Sequence, residues 1–104
     1  MTADSNKPRP LSKSEAIDTC RKYLSEGKVT WSPHLKQRME ERNISIGDVI
    51  NAVEGGKIVK MPEWKADYGE YNYLIRGKDI EGVKLTVKVA ISQKKEMLTF
   101  ITVF

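Results

Sequence analysis

The sequence predicts an α+β domain in which three N-terminal helices pack on a twisted, mainly antiparallel four-stranded sheet. Two observations predict it. Up to Gly55 the apolar residues recur at helical spacing in three runs, each opened by a serine, and after Gly56 the period changes to two. The length of 104 residues suits a single core. Residues 1–10 are expected to be a flexible tail and 11–104 one domain, because the first ten positions are polar and carry Pro8 and Pro10.

The first helix opens at Ser12-Lys13-Ser14-Glu15, a capping box in which serine and glutamate each satisfy the other's backbone N–H. Ala16, Ile17, Cys20, Tyr23 and Leu24 form its buried stripe, and Gly27 stops it. Lys28 to Trp31 reads as a short extended connection. Ser32-Pro33 then supplies an N-cap and a first helical residue with no N–H to lose. That second helix buries Leu35 and Met39 and ends near Asn43, a residue that tolerates the left-handed conformation. Ser45 and Asp48 cap the third helix, Val49, Ile50 and Val53 form its stripe, and Gly55-Gly56 ends it.

Strands are expected over Lys57–Met61, Glu70–Arg76, Val83–Ile91 and Glu96–Phe104. In the third, Val83, Leu85, Val87, Val89 and Ile91 alternate with Lys84, Thr86, Lys88 and Ala90, so one face is buried and the other basic. The last strand is apolar at almost every position, which places it between neighbours in the sheet.

Composition narrows the chemistry. Lysine and arginine total 18 against 14 acidic residues, a net charge of +4, so polyanions are favoured partners. One cysteine and one histidine exclude an internal disulfide and a conventional zinc site, and no metal or other cofactor is expected. No apolar run approaches the roughly 20 residues of a membrane span, so a cytoplasmic protein with no membrane partner is expected.

Two constellations carry possible chemistry. His34, Arg38 and Arg42 run along the shoulder of the second helix. An imidazole beside arginines suits metal-independent RNA cleavage: a general base takes the 2′-hydroxyl proton and the cations stabilise the phosphorane. The same spacing also suits a helix surface on which the arginines pair with Glu40, Glu41 or Glu63. The second constellation is Arg76, Lys84, Thr86 and Lys88 on the sheet, with Tyr71 and Tyr73 as bases' stacking partners and Lys57 and Lys60 adding charge nearby. That face equally suits solvated lysines that deter edge aggregation. Glu63, Asp67 and Glu70 fit no ligand motif and read as a solvated loop.

Ser32-x-His34-x-x-x-Arg38-Met39-x-x-Arg42-Asn43-Ile44-Ser45-x-x-Asp48-Val49, then Gly56-Lys57-Ile58-Val59 and a final Ile101-Thr102-Val103-Phe104, resembles the uncharacterised bacterial domain family 4258 from about Trp31 to Phe104. Such domains resemble small RelE- and BrnT-type toxins of type II toxin–antitoxin pairs, with a weaker likeness to the MqsR interferases, whose catalytic lysine falls near Lys60. The resemblance implies a RelE/BrnT-like fold and an endoribonuclease acting on mRNA and silenced by an antitoxin protein. His34, Arg38 and Arg42 are then catalytic, and Lys60, Arg76, Lys84, Lys88, Tyr71 and Tyr73 contact RNA. The alternative is a non-catalytic RNA- or protein-binding module of the same fold.

Overall fold

Every helix starts where a serine hydroxyl accepts the backbone N–H three residues ahead. In the computed structural model, which describes residues 7–104, α1 spans Lys13–Ser25, and Ser12 and Glu15 form the reciprocal capping box. Helix α2 spans Pro33–Arg42 behind Ser32 and stops at Asn43, whose φ of 54° is left-handed. Helix α3 spans Ile46–Gly55, with Ser45 and Asp48 forming a second box. Each start thus satisfies one orphaned helical N–H within three residues of chain, which is why these starts are legible locally.

Strands β1 (Val29–Trp31), β2 (Lys57–Lys65), β3 (Glu70–Lys78), β4 (Lys84–Ser92) and β5 (Met97–Val103) form one sheet in the order β1-β5-β4-β3-β2. From β2 to β5 the strands are an antiparallel meander. Strand β1 pairs parallel to β5, with Val29 opposite Leu98 and Trp31 opposite Phe100. The expected fold is corrected accordingly: the sheet is five-stranded and mixed, not four-stranded, and the helices are not all N-terminal to it, because β1 separates α1 from α2. Three residues are too few to show an alternation. What makes them a strand is distant, since the Trp31 ring stacks on Phe100 at 4.4 Å between centroids.

All three helices pack on one face. Ala16, Ile17, Cys20, Leu35, Met39, Val49, Ala52 and Val53 share a single core with Tyr71, Tyr73, Ile75, Val87, Val89, Leu98 and Phe100. The approach is closest at Gly77, where a Cβ would overlap the Ala52 carbonyl. Of the stretch expected to be a tail, residues 1–6 lie outside the described residues. Lys7–Pro10 forms neither helix nor strand, yet the Tyr71 hydroxyl donates to Pro8 O at 2.6 Å and Leu11 N donates to the Tyr73 hydroxyl at 3.0 Å. Among the described residues no helix is long and apolar enough to cross a membrane.

Candidate nucleic-acid interface

Alternation along β3 and β4 sends odd-numbered side chains into the core and even-numbered ones to the face that no helix covers. Ala90 illustrates the division, being buried yet not part of the core cluster. On this open face Lys57 lies opposite Arg76, Lys78 opposite Lys84, and Lys88 opposite Leu74. Like charges directly opposed weaken a sheet pair. Here two such pairs are adjacent, and Arg76, Lys84, Lys57 and Lys78 line one concavity at the end of the strands. The ion pairs found among the described residues join Lys28 to Glu26 and Glu96, and Lys65 to Glu63, so none neutralises these cations.

Two further concavities meet along the middle of the face and share Asn72 and Lys88. The first exists because β2 breaks register between Val59 and Glu63, where Lys60 takes a left-handed φ of 65°. Proline at position 62 has no N–H to give to a ladder, which suits it to this bulge. The irregularity leaves Lys60 and Met61 exposed on the rim of a hollow that Glu63, Asn72, Lys88 and Phe104 also line. The second hollow, of about 530 Å³, is lined by Ser32, Lys65, Tyr68 and Thr99 together with the two shared residues. The hydrogen bond and charge of Lys65 hold the Glu63 carboxyl below its ordinary value, and the charge of Lys88 adds to this. Asn72 is only 8% exposed, and its carboxamide makes no hydrogen bond among the described residues.

Helix α2 is fastened to the backbone of β5 at its first turn. Ser32 N donates to Phe100 O at 3.0 Å, and Ser32 Oγ donates to Ile101 O at 2.7 Å while accepting from Leu35 N. His34 is exposed in that turn, Arg38 is half-buried and Arg42 is the last, exposed residue. None of the three lines the hollows of the open face. Neither arginine forms an ion pair among the described residues, and Glu63, one of the carboxylates considered as their partner, is held by Lys65.

The predicted basic residues are therefore gathered in two groups, Lys60 with Lys88 and Arg76 with Lys84. The tyrosine rings turn away from them, although Tyr73 also borders the hollow of Lys60 and Lys88. Tyr71 and Tyr73 are 7% and 2% exposed and point into the helix-covered core, with their hydroxyls engaged by Pro8 and Leu11. Their placement beside the lysines is corrected by parity, since odd positions of β3 face away from even ones. Sequence reasoning missed Asn72, Lys65, Met61 and Phe104. Asn72 carries a signal in its even position between two tyrosines, whereas the β2 bulge that presents Met61 has none beyond Pro62.

Among the described residues no group of three or more histidine, cysteine, aspartate or glutamate side chains is arranged to hold a metal ion. No curated protein and no solved structure matches the chain. A family match covers residues 31–104, from the last residue of β1 through α2, α3 and the whole meander, leaving α1 outside it. The chain belongs to the family described as Domain of unknown function (DUF4258).

Proposed function

We propose that this protein binds single-stranded RNA on the open face of its sheet. The observation that supports the reading is the row Lys57, Arg76, Lys78, Lys84 and Lys88 on that face, none in an ion pair among the described residues. Opposed cations repel each other in the free protein and are relieved when phosphates lie between them. A sheet face of this kind follows a flexible single strand with its alternate side chains while leaving bases free to be read. Titrating labelled oligoribonucleotides at rising salt tests the proposal. Affinity that falls steeply and linearly on logarithmic axes is expected, and absent or salt-insensitive binding contradicts it.

A second reading adds cleavage, because Ser32, two residues before His34, lines the second hollow and brings the start of α2 to its edge. In this reading His34 takes the 2′-hydroxyl proton as the 2′-oxygen bonds to phosphorus, Arg38 and Arg42 stabilise the charged phosphorane, and the P–O5′ bond breaks as the 5′-oxygen takes a proton from water, leaving a 2′,3′-cyclic phosphate. This is the chemistry of a RelE- or BrnT-like mRNA-cleaving toxin, held inactive by an antitoxin. Growth arrest on expression, abolished by His34→Ala in a protein that still folds and binds RNA, is the expected result. RNA left intact by the purified wild-type protein, together with harmless expression, contradicts cleavage and leaves the binding reading standing.

A further inference from the structure

Asn72 departs from the usual behaviour of a polar side chain in a sheet. It is more than nine-tenths buried, yet its carboxamide has no hydrogen-bond partner among the described residues and lies against both central hollows. What stays accessible of Asn72 includes its amide edge, because the amide is not among the fully buried polar atoms that lack a partner, so it is free to meet a ligand that presents a donor and an acceptor side by side. Glu63 is its direct partner across the β2–β3 ladder and lines the first hollow with it. Phe104, 49% exposed as a residue, forms part of the same wall, and Lys60 and Lys88 also line it.

We propose that this hollow is a base-reading subsite that accepts one unstacked, amino-bearing nucleobase, adenine or cytosine, from the bound strand. The proposal rests on the RNA reading above and deepens it. Asn72 offers the flat donor–acceptor pair that matches an exocyclic amino group beside a ring nitrogen. The Glu63 carboxylate opposite accepts the second amino hydrogen, and it repels the carbonyl oxygen that uracil presents at the same place. Phe104 provides a face on which the base stacks, and Lys60 and Lys88 provide charge for its flanking phosphates.

Fluorescence anisotropy with labelled octamers of adenylate, cytidylate and uridylate, at one fixed salt concentration, tests this. The wild-type protein is expected to bind the adenylate and cytidylate octamers roughly tenfold more tightly than the uridylate octamer, because the Asn72 amide can pair with either kind of base edge whereas the acceptor-only Glu63 carboxylate favours the amino group. Asn72→Ala is expected to weaken the adenylate and cytidylate octamers most, and so to shrink the preference, while keeping salt-sensitive binding. Because Asn72 is buried, Glu63→Gln serves as the second variant: its side chain is exposed, and replacing an acceptor by an amide is expected to raise uridylate affinity towards the others. Phe104→Ala is expected to weaken all three octamers. Equal affinities in the wild type, or a preference that survives both Asn72→Ala and Glu63→Gln, overturn the subsite while the RNA reading stands. Failure to bind any octamer in a salt-sensitive way removes the RNA reading and the subsite together.

Discussion

Gly77 and Cys20 show how tightly single positions are constrained on the covered face. A methyl group at Gly77 collides with the Ala52 carbonyl of α3, and backbone cannot step aside as a flexible side chain does. Gly77→Ala is therefore expected to lower unfolding free energy by about 1–3 kcal/mol, measured by urea denaturation. The glycine is plain in the sequence, but it reads as part of a turn after Arg76, because the helix that approaches it is more than twenty residues away in the chain. Burial pushes the Cys20 thiol from an ordinary 9.0 up to about 12. Below pH 9 the thiol is neutral whether folded or unfolded. As pH rises from 9 to 12 the unfolded chain ionises while the fold keeps its proton, so stability falls across that window. Tyr23 and Tyr73, also raised chiefly by burial, act in the same direction. A urea midpoint that declines above pH 9, less so in Cys20→Ala, is the expected outcome. A thiol reagent is expected to label Cys20 only in denaturant.

Elements differ in how much of their cause is local. The three helices were legible because Ser12 with Glu15, Ser32 with Pro33, and Ser45 with Asp48 settle their own starts within one turn. Ser32 does more than cap, since it also ties α2 to the Phe100–Ile101 backbone of β5. Ser32→Ala is expected to cost about 1–2 kcal/mol, and Ser45→Ala about 1 kcal/mol, in chemical denaturation. The capping hydrogen bonds hold Glu15 and Asp48 below their ordinary values of 4.5 and 3.8. Carboxyls with lowered values stabilise the fold above their unfolded range and lose that contribution as pH falls through the folded one. Acid melts are thus expected to weaken the protein below pH 4, and Asp48→Asn to flatten that dependence. Strand β1 was not legible, because Val29–Trp31 has its partner at the far end of the chain and is held by a ring stack that no local pattern encodes. Phe100→Ala, which removes that stack and a fully buried ring, is expected to cost about 3–5 kcal/mol.

At the scale of the whole molecule, one face of the sheet is closed by three helices and the other is left basic and hollowed. The alternation in β4 showed that a basic face exists, and Lys84 and Lys88 are where that pattern puts them. Which partners join them depends on strand order and register, so Lys57 and Lys78 came into the row, Tyr71 and Tyr73 left it, and the hollow around Asn72 emerged only from the bulge in β2. His34 and its arginines remain on a helix whose start meets that face without entering its hollows. The most direct test of the face as an RNA surface is the salt dependence of single-stranded RNA binding by the wild-type protein and by Lys84→Ala/Lys88→Ala. With two phosphate contacts removed, the logarithmic slope is expected to shrink by about 1.4, at about 0.7 per contact on a single strand, while the far-ultraviolet spectrum is unchanged. A slope identical in the two proteins, or no binding by either, would contradict the open face as the site of RNA contact.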